Sequence, residues 1–124
     1  IEKFANHFWL LDGENGIVAF INGMVTDSPD LTDEMYDRAE LHNEDGTWQM
    51  IFSVVTAPEF RGQGCADKLM RRVIDDCRSQ DRAGIVLTCK ERLLPCYAKF
   101  GFVSEGISAS DHGGAQWYQM RLSF

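Results

Sequence analysis

The sequence lacks several features that define common classes of protein. No apolar run approaches the ~20 residues that a membrane-spanning helix needs. No basic stripe of the kind carried by nucleic-acid-binding domains is visible. The first residues, IEKFANHFWLL, lack the basic start and cleavage site of a secretory leader. We therefore expect a protein that neither crosses a membrane nor binds nucleic acid.

The four cysteines lack the spacing of a metal site. Cys65, Cys77, Cys89 and Cys96 form no CxxC pair, and no histidine lies at zinc-finger distance from them. Cys77 falls on the apolar face of a predicted helix and Cys89 in a predicted strand, so both are expected to pack as small hydrophobic side chains. The sequence thus predicts no bound metal and a reducing, cytoplasmic setting.

The composition fits one soluble domain, which we assign to residues 1–124. A hydrophobic fraction of 44% and a charged fraction of 25% are ordinary for a globular protein. The net charge of −7 is concentrated in residues 27–47, which contain eight acidic residues and one basic residue. This segment is either a solvated helix and loop or an acidic face that attracts a cationic small molecule.

The hydrophobic pattern of the first half of the chain predicts three strands. Apolar segments at 8–11 and 17–25 flank the turn-rich DGENG and predict a hairpin. Thr32 is a candidate cap for a short helix in the acidic segment. The continuous apolar run WQMIFSVVT at 48–56 predicts a central strand that is covered on both faces.

The remaining segments predict an alternation of helices and strands. Apolar residues recur with helical spacing over 66–77, and the segment at 85–89 predicts a second buried strand. Pro95 and Gly101 suit the start and the end of a later helix. A closing strand pair is predicted at 102–107 and 116–123. The order ββ(α)βαβαββ predicts an α/β fold of the α+β type with a mixed sheet.

The segment FRGQGCADKLM at 60–70 combines small residues with the start of a helix. No glycine in the chain precedes Lys and then Ser or Thr, which excludes a Walker loop. The dinucleotide fingerprint GxGxx[GA] is broken by Asp67 at its last position. Arg61, Gly64 and Ala66 instead satisfy [QR]xxGx[GA], in which small residues let phosphates approach the N–H groups of the first helical turn. A strand-to-helix turn without a ligand remains the alternative.

Four segments in order resemble the GNAT superfamily of acyl-CoA-dependent N-acetyltransferases. They are IVAFINGMVTD, SVVT, FRGQGCADKLM and LTCKERLLPCYAKFGF. Within the family, the chain is similar to the serotonin (arylalkylamine) N-acetyltransferase branch and its bacterial relatives, from about Phe8 to the C-terminus. The resemblance implies a mostly antiparallel mixed sheet with splayed parallel central strands flanked by helices, and acetyl-CoA as co-substrate. It also leads us to expect that the N-terminal strand and helices of the family are missing or truncated.

The resemblance implies a role for each segment. The end of the central strand, Val54–Thr56, would pair its backbone with the pantetheine arm of acetyl-CoA. The loop from Arg61 to Asp67 would bind the pyrophosphate, and Thr88 would line the gap between the splayed strands. Tyr97 would protonate the departing thiolate. The implied cofactor-binding residues are Val54, Val55, Thr56, Arg61, Gly62, Gln63, Gly64, Cys65, Ala66, Asp67 and Thr88.

The general base is the main departure from the resemblance. Met50 and Phe52 stand where the animal serotonin enzymes carry the two histidines of their proton path, and neither side chain can carry a proton. Loss of the amine proton to water is one alternative. His42, Glu91 and His112 are others, and nothing in their sequence context distinguishes them.

Together these features predict an enzyme that transfers acetyl from acetyl-CoA to a primary amine in a ternary complex, as a monomer or homodimer. The acidic segment favours a small cationic amine as the acceptor. Acetylation of a protein N-terminus or lysine, and a non-catalytic acyl-CoA-binding regulatory module, are the alternatives. A covalent route through Cys96 competes with direct transfer, but no activating histidine lies near it in sequence.

Overall fold

The computed structural model describes residues 8–13, 16–31, 35, 42–43, 45–57, 64–108 and 116–124. Within these residues, six strands form one sheet: β1 (Phe8–Gly13), β2 (Gly16–Thr26), β3 (Trp48–Thr56), β4 (Gly84–Cys89), β5 (Val103–Ile107) and β6 (Tyr118–Ser123). The described helices are α1 (Cys65–Ser79) and α2 (Leu94–Ala98), and a 3₁₀ turn at Glu91–Leu93 leads into α2. Neither described helix is long and apolar enough to cross a membrane.

The sheet is mixed, with the order β1-β2-β3-β4-β6-β5. The neighbouring strands β3 and β4 run parallel, and the other pairs are antiparallel. A parallel pair needs a long crossover, which α1 supplies between β3 and β4. The predicted hairpin, the mixed sheet and the parallel central strands are confirmed. The predicted Thr32-capped helix lies outside the described residues except for Met35, which is helical and buried.

Apolar side chains fill both faces of the sheet. On one face, α1 packs Leu69, Met70, Val73 and Cys77 against the strands. On the other face, a smaller cluster joins Met24, Leu31, Met35, Met50 and Val86. Successive side chains of a strand point to opposite faces, which is why β4 reads as an unbroken apolar run.

A β-bulge in β3 separates the two central strands. Asn22 pairs with Ser53 and the next residue, Gly23, pairs with Ile51, so the register of the β2–β3 ladder skips Phe52. Such an extra residue bends its strand. The parallel pairing of β3 with β4 ends at Ile51 and Leu87.

The bulge corrects one sequence prediction. β3 was expected to be a central strand covered on both faces, but full burial is confined to residues 49–51. Beyond the bulge the strand is half-buried, and the side chain of Val55 is 42% exposed. The physical reason is that β4 no longer accompanies β3 there, which leaves an open space beside the strand.

Candidate active site

A groove of about 430 Å³ lies where three elements meet at the carboxyl end of β3. Its lining residues are Val54, Val55 and Thr56 of β3, Ala66, Asp67 and Met70 of α1, and Leu93, Cys96, Tyr97, Lys99 and Phe100 in and around α2. The strand end, the helix start and the tyrosine that the sequence singled out therefore border one space.

The strand wall of the groove is the end of β3 beyond the bulge. One edge of this segment pairs with β2, where Val54 faces Ile21 and Val55 faces Phe20. The opposite edge makes no ladder pair with β4, since that pairing stops at Ile51. A strand edge of this kind can hydrogen-bond an extended ligand that carries amide groups.

The helix wall is the N-terminus of α1. Gly64 precedes the helix with a φ of 79°, and Lys68 N–H donates the first helical bond to its carbonyl oxygen at 3.0 Å. A Cβ on Gly64 would meet no atom of the described residues within 4 Å, and the positive φ is the feature that favours glycine here. The N–H groups of the first turn have no partners within the helix and make this end attractive to an anion.

An ion pair links the two helical walls. Lys99 Nζ lies 2.6 Å from Asp67 Oδ2, and both side chains line the groove. By itself, the carboxylate of Asp67 would repel a pyrophosphate at this helix start. The ammonium group of Lys99 offsets that charge, so the helix start keeps its attraction for an anion.

A cationic surface continues from the groove along α1. The Phe100 ring lies between the guanidinium of Arg71, 5.3 Å from its centroid, and the ammonium of Lys99, 5.4 Å from it. An adjoining cavity of about 390 Å³ shares Lys99 and Phe100 with the groove and adds Arg71, Ile74, Asp75 and Arg78. Cations around an aromatic face suit a ligand with phosphate and a flat ring.

Tyr97 is half-buried on α2, and its ring meets Phe102 edge-on at 6.0 Å. Burial, with a smaller contribution from the Cys89 and Cys96 thiols, raises the pKa of the Tyr97 phenol to about 12. The phenol therefore keeps its proton at neutral pH. A neutral phenol in the wall of the groove can donate its proton to a thioester sulfur while the C–S bond breaks.

The other predicted cofactor-binding residues either lie outside the described residues or are not among the residues that line the groove. Arg61, Gly62 and Gln63 lie outside the described residues, and for Cys65 only the backbone is described, at the start of α1. Thr88 follows the last β3–β4 pair and therefore lies where the gap opens, but it does not line the groove. By strand alternation, its side chain shares the sheet face of Val86, opposite to α1.

The structure shows the surroundings of the candidates for the general base. Met50 is fully buried and Phe52 packs against the same cluster, so this face of β3 offers no proton carrier at those positions. His42 Nδ1 accepts a 3.1 Å hydrogen bond from Val25 N–H, which ties it to β2. Glu91 accepts a 3.4 Å bond from the Tyr118 hydroxyl, and His112 lies outside the described residues.

The described cysteines divide by environment. Cys77 and Cys89 are buried, as predicted, and burial raises the pKa of their thiols to about 12 and about 11. Cys96 is exposed and lines the groove beside Tyr97. Its exposure was not foreseen from the sequence.

Sequence reasoning also missed four apolar or basic residues of the groove. Met70 was assigned only to the core face of its helix, while Leu93, Lys99 and Phe100 were assigned no role. Lys99 and Phe100 belong to the YAKFGF segment that carried the resemblance, so their position next to Tyr97 was the available signal.

Comparison with known proteins identifies the family of this chain. The family model described as "Acetyltransferase (GNAT) domain" matches residues 5–104. The chain belongs to the GNAT acetyltransferase family. The chain is also 31% identical, over 116 residues, to serotonin N-acetyltransferase of Mesocricetus auratus. The match covers 93% of this chain and 54% of that relative, so the chain spans about half of its length.

Solved structures confirm the GNAT fold. The loading GNATL domain of CurA from Lyngbya majuscula superposes with a TM-score of 0.81 at 16% identity, covering 98% of this chain and 78% of that one. A GNAT-like decarboxylase, GphF, in complex with isobutyryl-CoA also gives 0.81, at 14% identity, covering 98% and 80%. The six-stranded mixed sheet and its flanking helices therefore have the GNAT fold.

Proposed function

We propose that this chain is the catalytic domain of an acetyl-CoA-dependent N-acetyltransferase that transfers acetyl directly to a primary amine of a small molecule. The observation that carries the proposal is the shared groove, which brings together a strand end beyond its ladder with β4, a helix N-terminus and a protonated tyrosine. Each of these groups suits one part of an acyl-CoA thioester. The described free thiols suit a reducing compartment, and we assign the reaction to the cytoplasm.

The donor would lie along the groove. The backbone of Val54–Thr56 would pair with the pantetheine amides, as an added strand pairs with a sheet edge. The first turn of α1, from Gly64 to Asp67, would hold the pyrophosphate on its free N–H groups. The cationic surface around Phe100 would then receive the nucleotide end.

The chemical step needs few groups from the protein. The neutral amine attacks the thioester carbonyl carbon, a C–N bond forms, and the C–S bond of the tetrahedral intermediate then breaks. Tyr97 donates its proton to the departing sulfur, the amine proton passes to water, and the Tyr97 phenolate regains a proton from water. Holding both reactants in one groove would supply much of the rate, because a bimolecular encounter becomes an oriented one. Direct transfer requires no acyl-enzyme on Cys96.

The proposal is tested by turnover of acetyl-CoA with a panel of arylalkylamines, polyamines, aminosugars and short peptides, followed by mass spectrometry of the products. Acetylation of one small-amine class supports it. Acetylation of the peptides alone would replace the small amine by a protein substrate. Binding of acetyl-CoA without any product would favour a non-catalytic acyl-CoA-binding module.

The pH dependence follows from the raised pKa of Tyr97. Because this pKa lies near 12, the phenol stays protonated throughout the range in which an alkyl amine, with a pKa of about 10, becomes neutral. We expect kcat/KM for the amine to rise with pH through that range, with no loss caused by Tyr97 until the pH approaches 12. A basic limb below pH ~10 that disappears in Tyr97→Phe would contradict this assignment.

The Asp67–Lys99 ion pair predicts a charge effect on donor binding. Lys99→Met leaves the Asp67 carboxylate uncompensated beside the proposed pyrophosphate site. We expect the KM for acetyl-CoA to rise about fivefold, which corresponds to about 1 kcal/mol of charge repulsion. Adding Asp67→Asn to this variant should reverse much of the rise in the KM for acetyl-CoA. Lys68→Met removes an exposed lysine that does not line the groove and is the matched control. Equal effects of the two lysine variants would argue against the ion pair.

A further inference from the structure

A polar side chain is fully buried beside the bulge of β3. Gln49 has no exposed surface, although an amide loses free energy on burial unless its groups are hydrogen-bonded. Its Nε2 donates to the carbonyl oxygen of Met50 at 2.8 Å and to that of Met24 at 3.1 Å. One amide therefore joins the backbones of β2 and β3 at one point.

That point directly precedes the bulge. Met24 pairs with Met50, and the pairing becomes irregular after Gly23 pairs with Ile51. A Cβ on Gly23 would lie only 1.7 Å from the Met50 carbonyl oxygen and 3.0 Å from Gln49 Nε2. The absent side chain of Gly23 therefore provides the space in which the Met50 carbonyl meets the Gln49 amide.

The bulge determines the position of the end of β3. Before it, β3 pairs with β4; after it, Val54–Thr56 leave β4 and line the groove. A bulge interrupts the regular ladder, and its geometry depends on what satisfies the neighbouring backbone groups. Gln49 donates such hydrogen bonds from a fully buried side chain.

We propose that Gln49 is a positioning residue: its amide holds the β3 bulge, and through it the strand edge that receives the acyl-CoA donor. The donor part of this inference rests on the proposed function. The bulge part does not, because it concerns only how Gln49 fixes the backbone of β3.

The test compares Gln49→Met, which keeps the length of the side chain but has no donor, with Val73→Ala. Val73 is fully buried in the core on α1 and does not line the groove, so its variant loosens the core without touching the bulge. Hydrogen exchange of the amides in 52–56 is measured by NMR, and acetyl-CoA affinity by calorimetry. In Gln49→Met we expect exchange to be about tenfold faster and acetyl-CoA affinity about tenfold weaker. In Val73→Ala both should stay within about threefold of the wild type.

Gln49→Glu provides a graded variant in case Gln49→Met does not fold. A buried, neutral carboxyl group keeps one O–H donor, so both readouts should lie between the wild type and a variant without a donor. Wild-type exchange and affinity in Gln49→Met would overturn the inference. Faster exchange with unchanged affinity would also overturn it, since Gln49 would then be structural only. A wild-type protein that fails to bind acetyl-CoA contradicts the proposed function instead, and exchange alone then decides whether Gln49 holds the bulge.

Discussion

Replacing Tyr97 by phenylalanine is expected to lower kcat for acetyl transfer by about 10²-fold, within the range that general acids contribute. The KM for acetyl-CoA should change little, because the ring and its edge-on contact with Phe102 are retained. The physical reason is that the departing thiolate loses the neutral phenol that lines the groove. Steady-state kinetics with an excess of the best amine measure the effect.

Tyr118→Phe is the matched control for this substitution. The Tyr118 hydroxyl also donates a hydrogen bond, to Glu91 Oε1 at 3.4 Å, but Tyr118 does not line the groove. Its variant should keep kcat within about twofold of the wild type, as expected for a surface change away from the chemistry. Unchanged kcat in Tyr97→Phe would show that the thiolate leaves without a proton from Tyr97. An equal loss in both variants would point to a general effect of removing a phenol.

Replacing Gly64 by valine is expected to weaken acetyl-CoA binding by about 10²-fold, comparable with the effect of misplacing a binding group by ~1 Å. Gly64 has a φ of 79°, a conformation that a β-branched residue rarely adopts. The start of α1 must therefore shift or twist, which moves the N–H groups proposed to bind the pyrophosphate. Calorimetric titration with acetyl-CoA measures the effect without requiring the amine.

Gly106→Val separates this local effect from general strain. Gly106 lies in β5 with a φ of 91°, and, as at Gly64, a Cβ there would meet no atom within 4 Å. The two substitutions should lower the melting temperature by similar amounts, because they impose similar backbone strain. Only the Gly64 variant should lose acetyl-CoA affinity. Retained affinity in Gly64→Val would contradict a pyrophosphate site at the start of α1.

The sequence predicted the elements of the fold because its local signals agree with one another. The helical period over 66–77 and the apolar run of β4 each have one physical interpretation, and the structure contains both elements. The proline and glycine around α2 also occupy the expected places, with Pro95 in its first turn and Gly101 at a φ of 104° beyond its end. Such signals act over a few residues and need no knowledge of the tertiary structure.

The bulge of β3 was not predictable from the sequence. Phe52 is an ordinary strand residue, and nothing in WQMIFSVVT shows that the register with β2 skips one residue. The bulge depends on the register with β2, on the space at Gly23 and on the amide of Gln49, which come together only in the folded sheet. Periodicity alone therefore overestimated how far β3 is buried.

The candidate site was predicted in outline but not in its electrostatics. The resemblance pointed to Val54–Thr56, the start of α1 and Tyr97, and these line one groove. The pairing of Asp67 with Lys99 spans 32 residues and depends on how α2 packs beside α1. The charge of Asp67 is thus compensated by a side chain that no local pattern identifies.

A structure determined with coenzyme A would test the central claim most directly. The account predicts that the pantetheine amides hydrogen-bond the backbone of Val54–Thr56 at about 2.9 Å. It also predicts that the pyrophosphate lies on the N–H groups at the start of α1, with the sulfur facing the Tyr97 hydroxyl. Coenzyme A bound elsewhere, or bound in the groove with its sulfur remote from Tyr97, would contradict the account.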